Sequence, residues 1–247
     1  MRGYSCFASY YDRLTKNVGY EKRADYFLEL LARFSHEPGL TLDLACGTGS
    51  LTIALKKRGV DVYGIDASPE MLSEAQQKAA EEGLSLLFLC QKMQNLDLYG
   101  TVDTVLCTLD SINHITKAQD VQRAFERVSL FLDPQGYFVF DVNTPYKHRE
   151  VLKNNTFVYD TRDVYCVWQN SLQGDGNEVR VTLDFFERDG AVYRRSSEEF
   201  CERAYEQSEL SVMLQRAGLT IEAVYDDLTF FPPEKQSERV VFVTRKG

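Results

Sequence analysis

Leu40-Thr41-Leu42-Asp43-Leu44-Ala45-Cys46-Gly47-Thr48-Gly49-Ser50-Leu51 is the stretch from which the rest of this chain can be ordered. Leu40, Leu42 and Leu44 give its first half the apolar character of a strand. Gly47 and Gly49 then permit a tight turn and a close approach of backbone to a ligand. The helix that follows opens with free N–H groups, which suit a negatively charged or electron-rich group. Downstream, Val60 to Leu72 reads VDVYGIDASPEML and ends a second strand at Asp66. An acid about twenty residues beyond a glycine loop is placed to accept hydrogen bonds from ribose hydroxyls. Loop and acid together point to a nucleoside-containing cofactor. A dinucleotide fingerprint wants G-x-G-x-x-G, and here Gly49 is followed by Ser50, Leu51 and Thr52. The missing third glycine disfavours a nicotinamide dehydrogenase.

Composition narrows the classes. The chain has 247 residues, 44% of them hydrophobic, which allows one large domain or one domain with a sizeable insertion. Its net charge of −9 makes nucleic acid a poor default partner. No signal peptide is evident at the start, and no apolar run is long enough to span a bilayer, so a soluble cytoplasmic protein is expected. The six cysteines, Cys6, Cys46, Cys90, Cys107, Cys166 and Cys201, form no C-x-x-C site. They read as small core hydrophobes, with Cys46 set apart by its place inside the glycine loop.

In chain order, residues 1–19 form a short aromatic segment. Phe7, Tyr10, Tyr11 and Leu14 recur at helical spacing, either packing on the domain or forming a lid with Tyr11 over the cofactor. Residues 20–143 read as alternating helices and strands, the signature of a parallel sheet with helices on both faces. Ser68-Pro69 starts a helix, with Ser68 as N-cap, and Gly83 closes it. The third strand is read as Leu84–Cys90 and the fourth as Val102–Cys107. The latter runs into Thr108-Leu109-Asp110-Ser111-Ile112-Asn113-His114. Loops at strand C-terminal ends face the ligand crevice in such sheets, which puts Asp110, Asn113 and His114 on offer there. Asp133–Gly136 reads as a turn and Gly136–Val142 as the fifth strand.

Residues 144–206 then alternate at period two, as in Val179, Val181, Leu183 and Phe185, and read as an antiparallel β-insert capping the substrate site. Asp189-Gly190 and Gly174–Asn177 mark its hairpin turns. Trp168 belongs either to the insert's core or to the substrate cavity. Residues 207–247 return to helix and strand, with a Phe230-Phe231-Pro232-Pro233 loop that can cover the site. His36 and His148 read as surface or loop residues.

Four motifs in order, LDLACGTGS, GIDASPEML, QKMQNLDL and CTLDSINHI, resemble those of the class I S-adenosylmethionine (SAM)-dependent methyltransferases over roughly residues 20–142 and 207–246. The opening F-A-x-x-Y-D and the late insert are similar to bacterial small-molecule methyltransferases, including amino-sugar N-methyltransferases. The resemblance implies a Rossmann-like α/β fold: a seven-stranded, mostly parallel sheet with an antiparallel last strand, plus the antiparallel β-insert. It implies SAM contacts at Tyr11, Asp43, Ala45, Gly47, Gly49, Asp66, Met71, Gln91, Met93 and Thr108. Asp43 has a second reading, as a structural partner of the glycine loop. In such an enzyme a base serves only to take the acceptor's proton. His114 and Asp110 are the candidates, with Asp141 behind them; His114 can equally be a structural histidine. No metal is implied. The expected acceptor is a small molecule, with an amine suited to the acidic charge. RNA or protein methylation and non-catalytic SAM binding are the alternatives. DNA base methylation is disfavoured, because Thr108-Leu109-Asp110-Ser111 stands where D/N-P-P-Y/F or Pro-Cys would. Exposed edges of the insert offer surfaces for an oligomer.

Overall fold

The computed structural model of this chain describes residues 7–14, 18–174 and 176–247. Cys6, much of the 1–19 segment and Asp175 of the expected turn therefore lie outside the described residues. The chain runs α1 (Phe7–Leu14), α2 (Tyr20–Arg33), β1 (Leu40–Leu44), α3 (Ser50–Lys57), β2 (Asp61–Asp66), α4 (Pro69–Glu81), β3 (Phe88–Cys90) and β4 (Val102–Cys107). It continues through α5 (Ala118–Phe131), β5 (Leu132–Asn143), β6 (Thr156–Asp160), β7 (Val164–Gln173), β8 (Glu178–Asp189), β9 (Val192–Arg203), α6 (Gln207–Arg216), β10 (Leu219–Asp226) and β11 (Arg239–Lys246).

Seven strands form one sheet in the order β10-β11-β5-β4-β1-β2-β3. Only β11 runs against the rest, pairing antiparallel with both β10 and β5. Alternation along the central strands loads both faces. Leu106, Val139, Val241 and Val243 pack toward α2 and α3. Val105, Cys107, Phe138, Phe140 and Phe242 face α5 and α6. On that second face Phe140 stacks on Phe138 and Phe242, with ring centroids 4.8 and 5.0 Å apart. Such two-sided burial is what a sheet of parallel strands needs, and it leaves the strand C-terminal ends as the crevice.

The second sheet, β6-β7-β8-β9, is an antiparallel meander. Its apolar face, with Cys166, Val179, Val181, Leu183 and Phe185, closes over Ala8 and Tyr10 of α1, Met71 at the start of α4, and Leu152. Tyr10 stacks on Phe185 at 5.3 Å. Helix α1 thus shares one apolar cluster with the small sheet and with the helix that follows Asp66. Trp168 packs at the edge of this cluster, its Nε1 donating to Asn170 Oδ1 at 2.8 Å.

Four details differ from the sequence reading. Strand β3 is only Phe88–Cys90, because Leu84 ends the preceding helix by donating its N–H to Ala79. The Asp133–Gly136 turn is folded into β5 as a bulge, with Leu132 opposite Val102 and Tyr137 opposite Thr104. Lys147–Leu152 is a π-helical turn, not extended chain. Thr144 starts it by accepting the N–H of Lys147 on Oγ1 and that of His148 on its carbonyl. His148 is consequently fully buried, not a surface or loop residue. Finally, Asp189 pairs with Val192, so the β8–β9 hairpin turns on Gly190 and Ala191. Among the described residues no helix is long and apolar enough to cross a membrane.

Candidate active site

The glycine loop is built as its residues demand. Ala45, Gly47 and Gly49 take φ of 61°, 55° and 71°. An added Cβ at Gly47 would meet nothing within 4 Å, whereas at Gly49 it would lie 2.9 Å from the Ala75 Cβ. Gly49 is therefore needed for loop-to-helix packing, and Gly47 borders open space. Asp66, at the end of β2, clamps this loop. Its Oδ2 accepts the Gly47 N–H at 2.9 Å, and its Oδ1 accepts the Ser68 N–H at 2.8 Å. Burial pushes the Asp66 carboxyl above the usual range. Asp43 is wholly enclosed and accepts from Thr52 Oγ1 at 2.6 Å, so its carboxylate braces α3. Burial pushes it up to about 7.

Asp12, a residue missed as a site candidate although it ends the F-A-x-x-Y-D motif, ties α1 to the loop. Its Oδ1 accepts from Thr48 Oγ1 at 2.7 Å and Ser50 Oγ at 3.2 Å, and its Oδ2 receives Lys78 Nζ. Tyr11, beside it, is half-buried against the apolar cluster under the small sheet, and Met71 lies within that cluster. On the other side of Asp66, the Gln91 amide is spent on the turn itself. It donates to the Asp97 carbonyl at 3.0 Å and accepts the Asp97 N–H at 2.8 Å. Met93 packs on the main core, its sulfur 3.8 Å from Cys107 Sγ.

The loop after β4 is held from below by Asp141, two residues before the end of β5. Leu109 and Asp110 take successive φ of 57° and 54°, a conformation that costs an L-residue about 1–2 kcal/mol. The buried Asp141 carboxylate offsets this by accepting both N–H groups, at 2.8 and 2.7 Å. Arg239 at the start of β11 completes the arrangement. It donates to Asp141 Oδ1 at 2.8 Å and to Asp110 Oδ1 at 2.5 Å. Asp141 thus acts as a brace engaged by three donors. Burial works to raise the Asp110 carboxyl, but the charges of Arg239, Lys147 and His114 outweigh it and hold it below the carboxylate range. A carboxylate so held is a weak base. Asn113 is also committed, donating to the carbonyls of Asn143 and Arg203 and accepting the Asn143 N–H. Thr108 is buried, its carbonyl bonded by Ser111 Oγ at 2.7 Å.

His114 reaches solvent, its side chain 33% exposed. Ligating atoms of His114, Asp110 and Glu202 all lie within 4.8 Å of one another. Glu202 comes from β9 and is buried; burial and the charge of Asp110 push it up to about 7. Lys147 and His148, from the π-helical turn, complete the group. Burial lowers the Lys147 ammonium, and it lowers His148 to about 4. The structure therefore brings Asp110 and His114 together with Arg239, Glu202, Lys147 and His148, none of which the sequence marked. For Glu202 and Arg239 the only sequence signal was a charge on an otherwise alternating strand or at a strand start.

Comparison with known proteins bears on the family and the fold. A family profile described as a methyltransferase domain matches residues 41–136. YqeM of Bacillus subtilis (strain 168), named as a methyltransferase, is 36% identical over 245 residues, covering 99% of this chain and 97% of its own. A glycine/sarcosine N-methyltransferase of Parasynechococcus marenigrum (strain WH8102) is 33% identical over 195 residues, covering 77% of this chain and 64% of its own. The solved structure of an S-adenosylmethionine-dependent methyltransferase from Clostridium acetobutylicum ATCC 824 superposes with a TM-score of 0.89 at 36% identity, covering 98% of each chain. The sugar N-methyltransferase KedS8 from Streptoalloteichus sp ATCC 53650 shares the fold, with a TM-score of 0.77 at 20% identity over 100% of this chain and 94% of its own.

Proposed function

This chain belongs to the class I SAM-dependent methyltransferases, and on that premise we propose that it methylates a small-molecule acceptor, an amine. The residues present fit SAM. Gly47 borders space that a Cβ would enter, and Asp66 stands at the β2 end with its carboxylate fixed by two amides. Gly47, Gly49 and Asp66 would hold the cofactor's amino-acid and ribose parts, and Met93 would pack on its base. Asp43, Ala45, Met71 and Tyr11 would shape the surrounding wall. Gln91 would act by closing its turn, since both ends of its amide are taken by Asp97. Bound there, SAM supplies a methyl group already activated by its sulfonium.

The protein's own share is positioning, exclusion of water and custody of one proton. The observation that carries the reading is the placement of His114. It sits at the C-terminal end of β4, partly open to solvent, with Asp110 beside it and the small sheet's β9 packed against its loop. A partly exposed histidine with an acid beside it suits an acceptor that must lose a proton. His114 is the better base, because Asp110 is tied to Arg239. An amine is favoured by the net charge of −9, and the names of the glycine/sarcosine and sugar N-methyltransferase relatives support it. The test is S-adenosylhomocysteine release from SAM with a panel of small amines, alongside RNA and protein. Turnover with amines is expected; turnover confined to RNA or protein would refute the proposal.

A further inference from the structure

Strand β9 closes one side of the inserted sheet, in the order β6-β7-β8-β9. It is 12 residues long and reads VYRRSSEEFCER. Its ladder with β8 runs from Asp189 opposite Val192 to Glu178 opposite Arg203 without a bulge, and no proline interrupts it. Of the described elements, only β8 and the Ser111–His114 turn pack closely on β9. That turn meets its far end, at Phe200, Glu202 and Arg203. The near half is open, with Val192 and Tyr193 61% and 59% exposed. The opposite edge, β6, is blunted by its length of five residues. A long, unbulged edge is a template for another strand unless its charges repel one.

The charges of β9 are arranged to attract one. Arg194 and Arg195 come first, Ser196 and Ser197 follow, then Glu198 and Glu199. Beside a parallel copy of itself, like charge would face like. Beside an antiparallel copy, the basic half lies along the acidic half. Side-chain alternation sets the register. A two-fold axis normal to the sheet keeps each face on its own side, so residues opposite one another must belong to the same face. Arg195, Ser197 and Glu199 share the outer face, opposite Phe186, Asp184 and Thr182 of β8. Arg195 bonds Asp184 there at 2.8 Å, and Glu199 lies 3.8 Å from Arg180.

We propose that β9 is the dimerisation edge of this protein: it pairs antiparallel with β9 of a second copy about an axis at Ser197, joining the two inserted sheets into one. Arg195 then faces Glu199 of the partner subunit, and Glu199 faces the partner's Arg195. Across the join the outer face carries an alternating row: Arg180, Glu199, the partner's Arg195, the partner's Asp184. Symmetry repeats the row on the other side of the axis. The side chains that must meet are accessible, Arg195 being 62% and Glu199 58% exposed. Val192 and Tyr193 would lie along the far half of the partner strand. An axis at Ser196 is disfavoured: it sets Arg195 against serine and Arg194 against Glu198, which is buried. Main-chain bonds along the edge supply affinity, and the charged row supplies register and direction.

The test uses the full chain and needs neither acceptor nor cofactor. Sedimentation equilibrium of the wild type should show a dimer. Arg195→Glu sets acid against acid at both symmetric contacts, and Glu199→Arg sets base against base. Each alone should raise the dissociation constant by about tenfold or more, the direction expected of like charges brought together. Mixed one to one, the two variants regain opposite charges at both contacts of a heterodimer, so association should recover. Both positions are exposed, so melting should stay close to wild type. A wild-type readout stands beside the variants: amides between Arg194 and Phe200 should exchange more slowly as the protein is concentrated, while those of β6 stay unchanged. A chain that remains monomeric at hundreds of micromolar overturns the proposal. So does a dimer that neither substitution weakens, a weakened pair that fails to recombine, or β9 exchange indifferent to concentration.

Discussion

Replacing Asp141 by Asn tests whether the loop after β4 is held from beneath. The change is nearly isosteric, so packing is preserved and only hydrogen bonding and charge are altered. In the wild type the carboxylate takes three donors, at 2.8, 2.7 and 2.8 Å, from Leu109, Asp110 and Arg239. An Asn presents one acceptor oxygen and one NH₂. At least one buried backbone N–H then points at another donor, costing about 1–3 kcal/mol, and the charge-assisted bond from Arg239, worth about 1.5–3 kcal/mol, is lost. Arg239 keeps Asp110, so the full penalty of a stranded buried charge does not apply. The expected loss is therefore about 3–5 kcal/mol. For a chain of this size each kcal/mol moves Tm by roughly 2–4 °C, which predicts a drop near 10 °C. Calorimetry reads the stability. Amide exchange reads the location: the N–H groups of Leu109 and Asp110 should exchange faster, while those of Leu106 and Cys107 within β4 should not. Asp227→Asn is the control. Asp227 also pairs with an arginine, Arg23, but sits nearer the surface, and its loss should cost a fraction of this. An Asp141→Asn protein melting within about 3 °C of wild type, with unchanged exchange at Leu109 and Asp110, would refute the reasoning.

The other expectations can be stated briefly. Gly47→Ala should cost about 1–2 kcal/mol of stability for its left-handed backbone, yet weaken SAM binding by tenfold or more, on the order of 1.4 kcal/mol or beyond. Gly49→Ala should destabilise further, because its Cβ meets Ala75 and Phe88; melting and calorimetric titration separate the two. Glu202 has its folded pKa raised, so the native state holds that proton more tightly than the unfolded chain. Its stabilisation is present at low pH and is lost as pH rises from the ordinary carboxylate range through about 7. Glu202→Gln should therefore lose less stability than wild type between about pH 5 and pH 8, the difference amounting to roughly a few kcal/mol; parallel melting curves would contradict this. His148 has the opposite slope: its folded pKa is lowered to about 4, so its contribution fades as pH falls from about 6.5 toward that value, and His148→Phe should flatten the acid limb of a Tm-against-pH curve. Asp12→Ala removes a half-exposed clasp and should change Tm by less than about 1 kcal/mol equivalent, while speeding amide exchange in α1 and SAM dissociation; unchanged dissociation would show that the clasp does not retain the ligand.

The part of the candidate site proposed to hold the cofactor could be read as one unit in sequence because its parts are local. Ala45, Gly47 and Gly49 lie within one turn, and Asp66 follows at the end of the adjacent strand, so spacing along the chain carries the geometry. The same locality misled at Gln91. A polar side chain after β3 looks available from sequence, yet its amide bonds the backbone of Asp97 six residues on. The Leu84–Cys90 run shows a second limit. Apolar residues continue through it, but only the last three pair with β2, because strand length at a sheet edge is set by the partner.

The part proposed to meet the acceptor is different in kind. Its six groups arrive from four elements: Asp110 and His114 after β4, Lys147 and His148 on the π-helical turn, Glu202 on β9, and Arg239 on β11. No spacing rule links such positions. Glu202 in particular is written into a strand of mixed charges, EEFCER, where an acid reads as one more solvated residue. What distinguishes it is register. Glu202 pairs opposite Val179, whose side chain belongs to the sheet's apolar face, and cross-strand partners point to the same side. An acid on the inward face of a strand is costly unless something there uses its charge. Period-two alternation, carried one step further, would have separated Glu202 from outward-facing Cys201 and Arg203 once its pairing with Val179 was known. The hairpin turns on Gly190 and Ala191, one residue beyond the Asp189-Gly190 turn read from sequence, and that shift moves the pairing by two positions, from residue 177 to Val179, so Glu202 keeps the same face under either reading.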